Sequence, residues 1–211
     1  MEAITNNQVL KPLLAGDHKA SSGLIKILLA AKVPPAEIYE SLLKPAMYRI
    51  GELWDENKIS VATEHMASAI VESLLNEIYL SLTVSEKSDK KVIVTCLENE
   101  HHQIGARMVS DLFELKGWNV LFLGANTPKK DLLGFIHAIR PNLVCISLSI
   151  YFHLPTLQST LEDIREQFSD LSVLTGGQAF TRGGKESISQ YEKVHYLPDL
   201  PSLENYLIAT N

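Results

Sequence analysis

The segment Glu98–Gly105 places ionisable side chains at the start of a predicted helix, directly after an apolar run. Within it, His102 lies on a predicted loop, where a neutral imidazole can bind a transition metal through one ring nitrogen. Glu100, two residues earlier, can accept a hydrogen bond from the other nitrogen, which would fix the tautomer and raise the basicity of the ligand. A loop histidine that makes surface hydrogen bonds is the alternative interpretation.

A second group of such side chains lies nearer the N-terminus. Trp54 is followed, after nine residues, by Glu64 and His65. Ser60 is predicted to cap the helix that carries Glu64 and His65, and consecutive helical residues lie about 100° apart, so both side chains can border one cavity. Together with the histidine loop on another domain, this group predicts two sites that hold one large flat ligand from both sides. The alternative is a core tryptophan and a capping or surface histidine.

Small residues mark the ends of two predicted strands in the C-terminal half. Ser147 and Ser149 flank Leu148 in the third strand, where small hydroxyl groups leave space and offer hydrogen bonds. Gly176 and Gly177 end the fourth strand, where a missing Cβ lets a ligand approach the backbone closely. Each motif is also common as an ordinary strand or glycine turn.

The elements that position these residues change type along the chain. Residues 1–82 have helical periodicity and predict a four-helix-bundle cap domain, with one helix kinked or split at Pro45. Residues 83–91 are polar and aperiodic and predict a linker. In the α/β domain, residues 92–211, strands alternate with helices, which predicts a flavodoxin-like (Rossmann-type) five-stranded parallel sheet with ligands at the carboxyl ends of its strands. The strands are predicted at 91–97, 118–123, 143–150, 172–174 and 193–197, and the helices at 104–116, 129–139, 155–168, 183–191 and 201–209.

The composition limits the classes of partner. Hydrophobic residues make up 45% of the chain and charged residues 21%, and the net charge of −6 argues against a broad nucleic-acid-binding surface. No apolar run approaches the roughly 18 residues of a membrane span, and no signal peptide is visible, so a cytoplasmic protein is expected. Cys96 and Cys145 lie in apolar strands and are predicted to be buried, reduced thiols.

Three motifs of the C-terminal half form a recognisable set. The pattern Glu-x-His-x-x-Gly over residues 100–105, then Ser147-Leu148-Ser149, then Gly176-Gly177 resembles the fingerprint of the cobalamin-binding domain over residues 90–211. The resemblance implies that the nucleotide tail of the cofactor enters the sheet beside the two serines and the paired glycines.

The same resemblance assigns roles on the histidine loop. It implies that His102 replaces the nucleotide base as the lower axial ligand of cobalt. Glu100 would hydrogen-bond the other ring nitrogen of His102, and Gly105 would stand at the start of the next helix. The family usually has aspartate where this chain has Glu100.

The helical half resembles the cap domain of methionine synthase and its relatives over residues 43–54. The spacing from Trp54 to Glu64 and His65 resembles the signature of CarH-type cobalamin photoreceptors. It implies that these three residues cover the upper face of adenosylcobalamin, with methylcobalamin or hydroxocobalamin as alternative cofactors. Well-known photoreceptors of this group have a histidine directly after the tryptophan, where this chain has Asp55. After illumination, water or a shifted His65 would take the upper position.

The resemblance implies a function without catalysis. Photolysis of adenosylcobalamin would change the cap and dissociate a dark homo-oligomer. Because the bundle is predicted to begin almost at Met1 and the chain is acidic, we expect no direct DNA binding, and a protein partner such as a transcription regulator, unless the chain is the sensor domain of a longer protein. A corrinoid methyl carrier of a methyltransferase system and a light-independent cobalamin sensor remain alternatives.

Overall fold

The computed structural model describes residues 4–82 and 86–210. The chain divides into two compact units, Met1–Thr83 and Val84–Asn211, of which the first is helical and the second is α/β. Of the predicted linker, 83–91, the first three residues lie outside the described residues, and the last, Lys91, is the first residue of a strand.

Side-chain caps define the starts of two helices of the first unit. Asp17 accepts a hydrogen bond from the backbone N–H of Ala20 at 2.9 Å, and Ser60 accepts one from Thr63 at 3.1 Å. The interior is apolar, and its most buried side chains include Leu13, Ile25, Leu43, Ile50 and Leu74. The described helices are α1 (Asn6–Leu14), α2 (His18–Ala30), α3 (Pro35–Ile38), α4 (Lys44–Asp55) and α5 (Val61–Leu80).

A single π-helical turn, Tyr39–Leu43, joins α3 to α4. Pro45 has no N–H, and its ring would collide with the carbonyl of Ser41 in a regular α-helix. The wider turn accommodates it, and the N–H of Lys44 donates to the carbonyl of Tyr39. The interruption predicted at Pro45 is therefore a π turn just before it. With 35–55 counted as one long helix, the predicted four-helix bundle is confirmed.

The second unit contains one parallel five-stranded sheet in the order β2-β1-β3-β4-β5, which confirms the flavodoxin-like prediction. Its strands are β1 (Lys91–Leu97), β2 (Asn119–Thr127), β3 (Leu143–Ser147), β4 (Ser172–Gly176) and β5 (Val194–Tyr196). Its helices are α6 (Ile104–Leu115), α7 (Lys129–Ile139), α8 (Leu154–Gln167), α9 (Lys185–Ser189) and α10 (Leu200–Ala209).

The strand order creates a topological switch point between β1 and β3. The chain leaves β1 towards β2 on one side and later returns to place β3 on the other. Loops that leave such neighbouring strands diverge and open a crevice at their carboxyl ends, where ligands bind in open α/β sheets. The segment after β1 that carries His102 and the segment after β3 that carries Ser149 therefore border the same crevice.

The largest differences between predicted and observed bounds concern three elements. The third strand ends at Ser147 instead of residue 150, because the N–H groups of Ser149 and Ile150 donate to a side chain from the β1–α6 loop. The second strand runs on to Thr127 instead of ending at residue 123, because Gly124, with a φ of 76°, lies at an irregularity in the pairing that the strand passes through. The helix predicted at 183–191 is only Lys185–Ser189, because Gly183 and Gly184 adopt positive φ angles of 119° and 91°.

Within the described residues, no helix combines the length and hydropathy that crossing a membrane would require.

Candidate cofactor-binding site

The β1–α6 loop brings the predicted pair of Glu100 and His102 together. The Nδ1 atom of His102 lies 2.5 Å from Oε1 of Glu100, while the imidazole remains exposed, at 58% of its side-chain surface. The same carboxylate oxygen accepts the backbone N–H of His102 at 3.1 Å. The carboxylate thus fixes both the ring and the backbone of the histidine.

Glu100 is fully buried and reaches across the switch point to the segment after β3. Its second oxygen, Oε2, accepts the backbone N–H groups of Ser149 and Ile150, each at 2.9 Å. Burial disfavours the charged carboxylate, but the hydrogen bonds from the His102 ring and from the backbone of Ile150, Ser149 and His102 outweigh it and hold the pKa of Glu100 at about 2. Glu100 is therefore a carboxylate that only accepts hydrogen bonds.

The charge of Glu100 determines the tautomer of His102. A carboxylate has no proton to give, so Nδ1 of His102 must carry the hydrogen of the 2.5 Å contact. Metal ligation by this ring would therefore use Nε2, with the carboxylate raising its basicity.

The donor set fits a metal that arrives with ligands of its own. Across residues 4–82 and 86–210, no group of three or more His, Cys, Asp and Glu side chains is arranged to hold an ion. A single imidazole backed by a carboxylate suits the axial position of a metal already bound in a macrocycle. Gly105, in the first turn of α6, has nothing within 4 Å of the place where a Cβ would stand, so the ligand side of the loop is open.

His153, which the sequence left unassigned, also approaches Glu100. Its Nδ1 atom lies 3.6 Å from Oε2 and is buried, with no hydrogen-bond partner among the residues described. The contact joins residues 53 positions apart in sequence, so no local spacing could indicate it.

The two serines of the predicted motif have different roles. Ser147 ends β3 and pairs with Cys96 on β1 and Gly176 on β4. Burial of the Cys96 thiol and the nearby negative charge of Glu100 raise its pKa to about 12. A hydrogen bond with Ser147 lowers this pKa only in part. Ser149 lies beyond the strand, and the structure assigns it the backbone contact to Glu100.

The glycine pair allows backbone segments to approach each other. A Cβ on Gly176 would stand 2.5 Å from the carbonyl oxygen of Leu197. A Cβ on Gly177 would collide with the carbonyl oxygen of Leu148, and Gly177 has a φ of +116°. Both glycines are therefore required by the chain itself, independently of any ligand.

Gly177→Ala is expected to lower the free energy of unfolding by about 3 kcal/mol or more, because the new Cβ meets a backbone oxygen and the φ angle is strained. Chemical denaturation measures it. Gly134→Ala, in α7 with open space around its Cβ, is the matched control and should stabilise the protein by about 0.5–1 kcal/mol. Equal stability of the two variants would contradict this account of the turn.

The helical unit carries the other predicted residues on its surface. Trp54, near the end of α4, is 49% exposed although tryptophan is usually buried. In the first turn of α5, Oε1 of Glu64 accepts a hydrogen bond from Ser68 at 2.7 Å, and Oε2 lies 3.5 Å from Nε2 of the exposed His65. Asp55 follows Trp54 and is exposed. An outward indole, a carboxylate held in place and an imidazole are thus available to an external group.

Two family models, both described as B12 binding domain, match this chain at residues 5–79 and 90–196, the second covering half of it. The chain belongs to the B12-binding domain family. Its cofactor class is therefore cobalamin or a related corrinoid, and the resemblance seen in the sequence is confirmed.

Curated relatives of this B12-binding protein fall into two groups. The HTH-type transcriptional repressors CarA and CarH of Myxococcus xanthus are 29% and 26% identical to it over 70% and 78% of the chain. The chain spans about half of these repressors, 50% and 54% of their lengths. Dimethylamine corrinoid protein 3 of Methanosarcina acetivorans is 25% identical over 75% of this chain and 76% of its own.

Among solved structures, the monomethylamine corrinoid protein of Methanosarcina barkeri has the same fold. Its TM-score is 0.77 at 16% sequence identity, and the match covers 95% of this chain and 96% of that protein. The order of a helical unit followed by an α/β unit is thus shared with a corrinoid protein.

Proposed function

We propose that this B12-binding protein is a light sensor that uses adenosylcobalamin, with His102 as the lower axial ligand of cobalt. The observation that carries the cofactor assignment is the buried Glu100 carboxylate, which holds His102 with Nδ1 protonated and Nε2 as the ligating atom. When bound, adenosylcobalamin supplies a weak cobalt–carbon bond that light can break.

The α/β unit would bind the lower face and tail of the cofactor. Glu100 positions the imidazole, and Gly105 leaves room beside it. Ser147, Ser149 and the glycine pair Gly176-Gly177 would border the nucleotide tail, as the family fingerprint implies. The half-buried position of Ser147 at the carboxyl end of β3 supports this assignment.

The helical unit would cover the upper face through Trp54, Glu64 and His65. The exposure of the indole and the fixed carboxylate of Glu64 support it, as does similarity to the CarA and CarH repressors. Loss of the adenosyl group would remove what Trp54 packs against and shift the equilibrium of the cap. We infer a homo-oligomer in the dark that signals to a transcription regulator, without catalysis by this chain.

Illumination tests the light-sensing proposal. Green light on the adenosylcobalamin complex should change both its absorption spectrum and its oligomeric state, measured by size-exclusion chromatography with light scattering. Trp54→Ala should weaken this coupling, whereas Trp54→Phe, which keeps an aromatic ring, should retain most of it. A complex whose cofactor is photolysed while its oligomeric state stays unchanged would contradict the proposal, because the free cofactor is also photolysed.

The second candidate is a corrinoid carrier that passes methyl groups between methyltransferases. It is favoured by 25% identity to a dimethylamine corrinoid protein and by the fold that the chain shares with a monomethylamine corrinoid protein. Methyl transfer to or from the cobalamin-loaded chain by a partner methyltransferase, with no response to light, would select it. If neither light nor a methyltransferase acts on the loaded chain, a light-independent cobalamin sensor remains.

A further inference from the structure

One asparagine near the end of β2 makes two hydrogen bonds to the histidine loop. The backbone N–H of Asn126 donates to the carbonyl of Glu100 at 2.9 Å. The side-chain oxygen Oδ1 of Asn126 accepts the backbone N–H of Asn99 at 2.8 Å. Asn126 therefore holds the N–H group of Asn99 and the carbonyl group of Glu100, on either side of the peptide bond between these two residues.

This contact depends on the residue type as well as on its position. Asn126 and Asn99 both have left-handed backbones, with φ angles of 52° and 64°. Asparagine tolerates this conformation better than other residues with a Cβ. Asn126 thus supplies two features at once, a left-handed backbone near the end of the strand and an acceptor directed at the loop.

A third hydrogen bond from the end of β2 reaches the loop on the C-terminal side of His102. The N–H of Ala125 donates to the side-chain oxygen Oε1 of Gln103 at 3.2 Å. The contacts from β2 therefore fall at residues 99, 100 and 103, on both sides of His102. Within the loop itself, the N–H of Glu100 donates to Leu97 at 3.0 Å.

We propose that Asn126 is the positioning residue of the histidine loop: it fixes the backbone at Asn99 and Glu100 and thereby sets the location and tautomer of the His102 imidazole. Ligands that bind metals must be held within about 0.5 Å of the productive geometry, which irregular loops seldom achieve without such support. The metal-binding part of this inference rests on the proposed function, whereas the effect on the ring does not.

The chain offers a matched control at the opposite end of β1. Asn142 makes the same double contact there, because its N–H donates to the carbonyl of Lys91 at 2.9 Å and its Oδ1 accepts the N–H of Lys91 at 2.8 Å. Asn142→Ala therefore removes the same kind of side-chain hydrogen bond from the same sheet, far from His102.

The first readout uses the cofactor-free protein, so it is independent of cobalamin binding. Long-range ¹⁵N–¹H NMR of His102 reports which ring nitrogen is protonated. In the wild type and in Asn142→Ala, Nδ1 should carry the proton. In Asn126→Ala, which loses both the acceptor and the left-handed preference, the His102 signal should shift to a mixture of tautomers. Amide hydrogen exchange at Asn99 should accelerate at least about tenfold, as expected for a released loop.

Two further variants separate the effect of the side-chain acceptor Oδ1 of Asn126 from the effect of its left-handed backbone. Asn126→Gly keeps the left-handed turn and lacks Oδ1, so it should resemble Asn126→Ala. Asn126→Asp keeps an oxygen at this position and should resemble the wild type. In the cobalamin complex, Asn126→Gly should reduce the fraction of histidine-ligated cobalt at least about tenfold, whereas Asn126→Asp should retain it.

The inference is overturned if Asn126→Gly and Asn142→Ala leave His102 equally unchanged, even if both lower the free energy of unfolding. If Asn126→Ala does not fold, the glycine and aspartate variants decide. A wild-type complex without histidine ligation would refute the proposed ligand role, while the measurements on the cofactor-free protein would still test the positioning role of Asn126.

Discussion

His102→Ala is expected to abolish protein ligation of cobalt and to weaken cobalamin binding by at least about 100-fold, since even partners behind a metal ligand contribute 10–100-fold. Stability should change little, because the imidazole is 58% exposed and Glu100 retains three backbone N–H donors after the ring is removed. The variant therefore separates a ligand role from a structural one.

The neighbouring residue provides the control. His101 is exposed on the same loop, so His101→Ala changes the charge and loop composition to a similar degree without touching Glu100. Titration with cobalamin, monitored by absorption spectroscopy, should give the wild-type affinity and spectrum for His101→Ala. For His102→Ala it should give the weakened affinity and a spectrum without histidine ligation. Equal behaviour of the two variants would refute His102 as the ligand.

Glu100→Gln is expected to reduce ligation of cobalt by His102 about 10–100-fold and to destabilise the protein, although the shape of the side chain is almost unchanged. The two carboxylate oxygens accept four N–H groups, and an amide offers one oxygen and an NH₂ group instead. If the NH₂ group faces His102, Nδ1 must become the acceptor, so the proton moves to Nε2 and the ligating atom is lost. If it faces Ser149 and Ile150, the two backbone N–H groups of these residues lose their acceptor.

Both orientations leave at least one backbone N–H without its acceptor, so the free energy of unfolding should fall by about 1–3 kcal/mol. Denaturation and the ligated fraction of the cobalamin complex measure the two effects. Glu98→Gln, an exposed carboxylate on the same loop, is the control and should behave like the wild type. Glu100→Asp, the residue usual in the family, should retain ligation. A Glu100→Gln protein with wild-type stability and ligation would contradict the tautomer argument.

The fold could be predicted largely because its signals are strong and local. All residues of β1 after Lys91 are buried, as expected for a central strand covered on both faces, and the predicted and observed bounds of β1 coincide. The cap at Ser60 could also be predicted, since a capping side chain and the N–H that it accepts are only three residues apart. The π turn before Pro45 could not be specified, because proline indicates a disturbed helix without indicating which form it takes.

The candidate site was predictable only where its contacts are local. Glu100 and His102 are two residues apart, and that spacing alone pointed to a hydrogen-bonded pair. The contacts of Glu100 with Ser149 and Ile150 and its approach to His153 span about 50 residues and depend on the strand order. The sequence predicts Ser149 within the third strand for the same reason. Only in the folded chain does Glu100 lie close enough to accept the N–H of Ser149, which ends the pairing of the strand before this residue.

Asn126 shows a second limit. An asparagine two residues before a proline indicates only a loop. Its two hydrogen bonds, to Asn99 and Glu100, form only when the ends of β1 and β2 lie side by side in the folded chain. The exposed Trp54 shows a third, since its type and spacing indicate a ligand contact but its exposure depends on how the helices pack.

The central claim is that the His102 imidazole takes the lower axial position on cobalt, and electron paramagnetic resonance tests it most directly. The protein is labelled with ¹⁵N in its histidine rings, loaded with unlabelled cobalamin and reduced to the Co(II) state, in which the unpaired electron points at the axial ligand. The account predicts that the cobalt lines split into doublets from ¹⁵N, and that His102→Ala removes the doublets. Triplets from the ¹⁴N base of the cofactor in the labelled wild-type protein, or lines without nitrogen splitting, would contradict it.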